Sequence, residues 1–540
     1  MTRERLARFE PWIATALACS LGVVLAARTF PVAFLVPPGG LVLDGDLALH
    51  AIAQRYMIAD AWRWPLLVVP GLETPSGTHI GIADGIPILA MILKSFRGWL
   101  PEGFHGIGLW LGISWALQPV AAVWALRGTG EKRLLPLLAV AVLAVSVPAW
   151  WSRIGHAALT SHFTILLGLG FYLRLVHRGG LWVWAAAALT LILTLLIHPY
   201  LALVFLAILS AVPVTLVLRR DPSWLRAAMC SAGAATTFAG AVSVFGYAGA
   251  GGGSGYGDYA LNLLSPFWPA SSALFPTLPY VDATGHGGWE GYNYMGAGLL
   301  LGLAATLCFR LGVVGRLIRR HAGLALVLLA LTLVAVTTRI GLASSILVDL
   351  GPPPSFLEQF RSSGRLFWPV TYAAILAVVT ILARAPMARL GLACVLIVAA
   401  LQFADVHVLR RNVAGWARGG AYRAPAEAAA ALRPLLRRSE SLTLLPSYQC
   451  IPDPNAVAAT LTLLNDIMSV TAERPIPMTT MFVARRQRPV QCNDAGLAAA
   501  PLRAGELRVL LPVVQPGLLA KVPGHADHCR PLQGLMVCAQ

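Results

Sequence analysis

Charged residues are scarce in this chain. Only 12% of its 540 residues are Asp, Glu, Lys or Arg, and just 24 are acidic. With 57% hydrophobic residues and a mean hydropathy of +0.69, it lacks the polar surface of a water-soluble globular protein, and that class is excluded. Also missing is any CxxC arrangement among the eight cysteines, which argues against a structural zinc site. Repeats with the period of a solenoid or propeller are absent. The first apolar run follows an Arg-bearing stretch, but no small-x-small cleavage site precedes Arg28, so it reads as a retained anchor rather than a signal peptide. Ionisable groups are almost missing from the middle of the apolar runs, the reverse of what a transporter built on intramembrane charges displays.

What fills the chain instead is a series of apolar runs of roughly 17 to 22 residues, long enough to cross about 30 Å of hydrocarbon. Spans are expected near 11–30, 106–126, 134–150, 160–176, 181–198, 199–218, 227–247, 295–309, 322–338, 366–383 and 388–404, about eleven in all. The stretch 86–93 is too short to cross and reads as re-entrant or interfacial. With the N-terminus inside, 17 of the 41 basic residues fall in short cytoplasmic segments, while the longer opposite loops hold 9. By the positive-inside rule the N-terminus is cytoplasmic and the C-terminus is outside. The net charge of +17 then follows from membrane topology and an Arg-rich tail, with no need of a nucleic-acid partner.

The expected architecture is an all-α polytopic membrane bundle over residues 1–404, with outer loops 31–105, 248–294 and 339–365. A small α/β domain follows over 405–540. Cys450, Cys492, Cys529 and Cys538 lie in this tail, on the oxidising side of the membrane, and suggest two disulfides of open connectivity. Within the tail, Ala424–Leu436 has a helical pattern, while Ser441–Leu445, Leu507–Val514 and Leu535–Cys538 read as strands. The loop 248–294 opens on a glycine-rich run from Gly249 to Gly255. Every cytoplasmic loop is short, so chemistry belongs to the outer face.

Asp44-Gly45-Asp46 stands just beyond the first span. In an extended stretch, residues two apart project to one side. The pair could therefore hold a divalent cation, Mg or Mn, or one member could act as general base. The alternative is a solvated turn that caps a helix starting near Leu47. His50 follows Asp46 by one helical turn and could orient it. Asp84, in Ile82-Ala83-Asp84-Gly85-Ile86-Pro87, is an acidic group beside an apolar segment, where it is costly unless something binds it. Arg153, His156 and His162 cluster between the third and fourth spans and could meet a substrate, Arg153 through a phosphate. Arg361 and Arg365 are four apart, and helical spacing would put both guanidiniums on one face as a fork for phosphate oxygens. Trp289-Glu290-Gly291-Tyr292 could form an aromatic and acidic wall for a sugar, or an interfacial aromatic belt. His198-Pro199-Tyr200 breaks the fifth span from the sixth.

The order of these parts resembles the GT-C membrane glycosyltransferases: an N-in first span, an acidic motif in the first outer loop, many further spans and a C-terminal periplasmic domain. Within that superfamily, several strings look like an uncharacterised bacterial multi-pass family. They are Gly45-Asp46…His50, Asp84-Gly85-Ile86-Pro87, Gly155-His156…Ser161-His162, His198-Pro199-Tyr200, Asn262-Leu263-Leu264-Ser265-Pro266, Glu290-Gly291-Tyr292 and Phe360-Arg361-Ser362-Ser363-Gly364-Arg365. The resemblance implies a bacterial inner-membrane enzyme that moves a sugar, with inversion, from a polyprenyl-phosphate donor to a glycan, lipid or protein acceptor of the cell envelope. It also implies that Asp44 or Asp46 is the base or metal ligand, with Asp84 shaping the site. A polymerase or ligase of lipid-linked glycans shares the chemistry, and a flippase of lipid-linked sugars is the rival without it.

Overall fold

A helix crosses a bilayer when about 20 consecutive apolar residues satisfy their own backbone hydrogen bonds. The computed structural model, which describes residues 3–248, 255–448, 450–451, 457–483 and 492–540, has eight helices of that kind. They are Phe9–Thr29, Ile107–Arg127, Ala157–His177, Pro199–Leu218, Trp224–Val244, Ala297–Arg320, Ser363–Ala383 and Ala388–Asp405. The other three expected spans, 134–150, 181–198 and 322–338, appear as the shorter apolar helices Leu134–Ala144, Leu181–Leu195 and Ala322–Val336. Pro148 starts a separate short helix, Pro148–Trp151, and so ends the first of these early. The chain is thus a helical membrane protein. Ala157–His177 is 89% buried over its apolar window and Ala297–Arg320 only 22%, so the first sits inside the helical assembly and the second shows its apolar side to lipid.

Contacts divide the chain into two compact units: residues 1–30, 111–241 and 252–415, and residues 31–110, 242–251 and 416–540. The loop 31–105, expected as an appendage of the membrane bundle, therefore folds with the tail. Backbone pairing explains why. Val42 and Leu43 pair antiparallel with Arg423 and Tyr422, and Leu72 bridges to Met478. Tyr56 Oη donates to the Ile476 carbonyl at 2.6 Å. The apolar stretch 86–93 becomes the helix Pro87–Ser95, whose Leu89, Ala90 and Leu93 are buried. The glycine-rich run expected at the head of loop 248–294 lies, up to Ser254, outside the described residues.

In the tail, Ser441–Leu445 runs parallel to Glu506–Leu510, and Leu535–Ala539 is antiparallel both to that strand and to Cys529–Leu532. Pro512 cannot donate to a ladder, which accounts for a second strand shorter than expected. The helical stretch 424–436 is two pieces, Glu427–Ala431 and Arg433–Leu436, with Pro434 at the start of the second. Loop 339–365 contains a hairpin, Arg339–Leu342 with Ser345–Asp349, that its sequence did not advertise. Cys450 is bonded to Cys492 and Cys529 to Cys538. Peptide mapping of an unreduced digest should recover these two cross-links and leave the four tail thiols unlabelled by alkylation under denaturing conditions. Either of the other two connectivities would contradict the arrangement.

Candidate functional site

Three of the sequence-marked residues of the first unit converge on the carboxylate of a fourth, Glu290. Glu290 Oε2 lies 2.7 Å from Arg153 Nη1 and 2.8 Å from Arg365 Nη2, and Glu290 Oε1 lies 3.3 Å from His156 Nε2. Arg153 Nη2 also donates to the Trp289 carbonyl. The Arg365 guanidinium stands 5.5 Å from the centre of the Tyr200 ring. Arg153 is 3% exposed, while Arg365 and Glu290 are near 10%. Burial alone would push the Glu290 carboxyl up. Arg365 and Arg153, with the His156 hydrogen bond, outweigh it and hold that carboxyl well below the usual range. Two buried guanidiniums and an imidazole thus meet on the Glu290 carboxylate.

Backbone close to these side chains is fixed by the same sequence strings. The Asn293 amide donates to the carbonyls of Gly291 and Gly364, and Ser265 Oγ donates to Gly291 O. Gly364 N–H donates to Tyr259 O at 3.1 Å. A Cβ on Gly364 would come within 3.1–3.3 Å of Tyr259 O, Leu261 N and the Gly291 Cα, so a larger residue would push the two loops apart by a few tenths of an ångström. His198 Nδ1 accepts from Tyr200 N and caps the helix Pro199–Leu218, and so places Tyr200.

Three of the expected substrate contacts lie apart from the Glu290 carboxylate. Arg361 and Arg365 do not form one fork. The chain is helical only from Ser363, as a 3₁₀ turn to Phe367, so the four-residue spacing does not put them on one α-helical face. Arg361 turns to Asp258, 3.2 Å away, and to the Tyr259 ring. His162 is fully buried, with Nδ1 2.9 Å from the Tyr372 hydroxyl and its ring against Trp368. Tyr292 is 3% exposed in a cluster with Ala270 and Tyr294, and its hydroxyl donates to Ser271 O; it supports the loop instead of facing a sugar. Tyr200, Asp258 and Tyr259 are the neighbours that sequence reading did not assign to this place. The signal for Tyr200 was its position behind the His198-Pro199 cap.

In the second unit, the helix Asp46–Ala59 starts immediately after Gly45, whose φ of 61° only glycine adopts readily. That turn breaks the extended geometry that would have aligned Asp44 with Asp46. Asp44 Oδ1 accepts from Arg423 Nε at 3.0 Å, and Arg423 also grips Asp466 with both terminal nitrogens. Asp46 is exposed at the first position of the helix, where the helix dipole favours a negative charge. One turn on, buried His50 places Nε2 3.7 Å from Asp84 Oδ2.

The loop carrying Asp84 is strained. Both Asp84 and Ile86 have φ of 51°, and for a β-branched residue this is a true outlier, worth roughly 1–3 kcal/mol. Complete burial of Ile86 and the Gly85 N–H···O=C hydrogen bond to Ile80 hold it there. Tyr247 packs beside Gly81, where any Cβ would collide with its hydroxyl. Burial, and after it the Asp84 carboxylate, push the Tyr247 pKa upward, so the phenol keeps its proton.

Asp44 is tied to Arg423, which it shares with Asp466, and the turn at Gly45 separates its direction from that of Asp46.

Fold and site together describe a polytopic helical membrane protein with a disulfide-bonded, sheet-containing C-terminal region and a buried cation-rich cluster near the ends of its helices. The chain belongs to the DUF6311 family, a domain of unknown function matched over residues 19–407, and residues 431–540 match the DUF6311 C-terminal domain. No curated protein matches it.

Proposed function

We propose that this protein is an inverting membrane glycosyltransferase that moves a sugar from a polyprenyl-phosphate donor to a cell-envelope acceptor. The observation that carries the reading is the convergence of Arg153, Arg365 and His156 on Glu290. A departing lipid phosphate gains negative charge as the glycosidic bond breaks, and preorganised, partly dry cations stabilise that charge most where it develops. Glu290 keeps the two guanidinium planes in place. The base is assigned to Asp46 by the sequence resemblance, and within its own unit the His50–Asp84 pair shapes the polar environment of the same helix. Asp44 serves the Arg423 tether instead of the chemistry.

The reading includes an eleven-span topology in a bacterial inner membrane, with the N-terminus cytoplasmic and the tail periplasmic. A reporter active only outside the cytoplasm should be active when fused after Gln540 and silent after Arg220. The opposite pattern would move the tail to the cytosol and end the assignment. The enzyme itself is tested by incubating purified protein with a radiolabelled polyprenyl-phosphate sugar and a cell-envelope extract. Arg365→Lys keeps the charge but loses the planar fork, so the apparent KM for donor should rise several-fold with a milder loss of kcat. A flippase would move the donor across vesicles without cleaving it, and absence of cleavage by wild-type protein would favour that rival.

A further inference from the structure

The second unit contains a cavity of about 200 Å³ that the proposed reaction does not use. One wall is the Pro-Pro-Gly-Gly turn at 37–40, and the others come from the neighbourhood of Gly103 and from the tail. Its charge is one-sided. Arg55, Arg433, Arg437 and Arg474 line it, against the carboxylates of Glu102 and Glu473. Glu473 is already gripped by Arg433 at 2.9 and 3.1 Å, so the remaining three guanidiniums face one exposed carboxylate.

Arg55 is the informative member. It is 7% exposed, and its guanidinium is met by two backbone carbonyls, Gly103 O at 2.6 Å and Ser469 O at 3.3 Å. Glu473, the partner of Arg433, acts on it only through space. A buried cation answered by neutral carbonyls is costly, and a cavity wall is a poor place for it unless an anion comes there. Arg437 and Arg474 stand exposed at the rim, joined by a hydrogen bond from Arg474 Nη1 to Arg437 O at 2.7 Å. Phe104, Leu436 and Val470 add apolar surface beside the charges.

We infer that this cavity is an anion site for a single phosphate group, carried by a small solute or by a lipid head group. Arginine forks suit the several oxygens of a phosphate. The volume is below the roughly 300–1,000 Å³ of drug-sized pockets, which limits the ligand to a head group and not a whole glycan. The site shares no residue with the Glu290 cluster, and it stands whether or not that cluster performs glycosyl transfer.

The test is calorimetric titration of the full-length protein with inorganic phosphate, then with glycerol phosphate, then with nanodiscs containing phosphatidylglycerol. Arg437→Gln combined with Arg474→Gln changes only exposed side chains, so the fold should survive. Affinity for inorganic phosphate should fall about tenfold or more in this double variant and in Arg55→Lys, and stay within twofold of wild type in Arg361→Gln, whose side chain faces Asp258. Glycerol phosphate binding as well as inorganic phosphate identifies a soluble ligand. Binding confined to the phosphatidylglycerol nanodiscs identifies a lipid head group, with the same dependence on the rim arginines. Absence of saturable binding in every arm, equal affinity in wild type and the rim double variant, or loss confined to Arg361→Gln would overturn the proposal. Should Arg55→Lys fail to fold, the rim double variant decides alone.

Discussion

Replacing Asp46 with Asn should lower turnover of a polyprenyl-phosphate sugar donor by roughly 100- to 10,000-fold, the usual worth of a positioned general base. The change keeps size and shape, and Asp46 is an exposed residue at a helix start, so membrane insertion and thermal stability should be nearly unaffected. Asp44→Asn makes the internal control. Its partner Arg423 retains both hydrogen bonds to Asp466, and the lost pair is half exposed, where such contacts contribute about 0–1 kcal/mol. Turnover in that variant should stay within a few-fold of wild type. Should turnover in the Asp46→Asn variant equal that of wild type, the base assignment fails. A large loss confined to Asp44→Asn would return the role to the residue that the structure ties to Arg423.

Glu290→Gln should have the largest effect on stability. It removes the buried carboxylate that Arg153 and Arg365 both contact, a loss worth roughly 3–5 kcal/mol, and the unfolding midpoint of the detergent-solubilised protein should fall accordingly. The pH dependence supplies a second readout. The Glu290 carboxyl titrates well below its ordinary 4.5 in the folded protein, so the folded state binds that proton more weakly than the unfolded state. The stabilisation is therefore complete above about pH 4.5 and is lost as pH falls through the depressed value. Wild-type protein should lose stability over that acid window, whereas the Gln variant should start lower and lose less. A variant as stable as wild type would mean that the two guanidiniums find other anionic partners.

How legible this was depends on the kind of information each feature needs. Eight of the eleven expected span positions follow from apolar length and were readable, as were Ser441–Leu445 and the two-disulfide tail. The members of the Glu290 cluster were also singled out, because arginines in outer loops contribute nothing to orientation and so invite another explanation. Their convergence was not readable: it depends on contacts such as Asn293 to Gly364, more than 70 residues apart in the chain. Arg361 failed because a local rule, four residues to a helical face, was applied where the backbone turns 3₁₀ only at Ser363. The Asp44–Asp46 expectation failed at Gly45, whose freedom of conformation made an extended stretch into a corner. Asp84 was marked for the charge of its side chain, while the strain at Asp84 and Ile86 is a backbone property that composition does not carry.

The partnership of residues 31–110 with 416–540 also sets an order of events during synthesis. Tyr56 and Ile476 are 420 positions apart, and Arg55 and Ser469 are 414 apart. The segment bearing Asp46, His50 and Asp84 is therefore synthesised long before the strands and carbonyls that complete it have been made. Until then Val42 and Leu43 have no strand to pair with, and every intervening helix must be inserted first. Such distant closure is slow and leaves half-built edges exposed. A chain that stops at Gly415 would accordingly lose more than a tail: the acidic loop near its beginning would have nothing to fold upon.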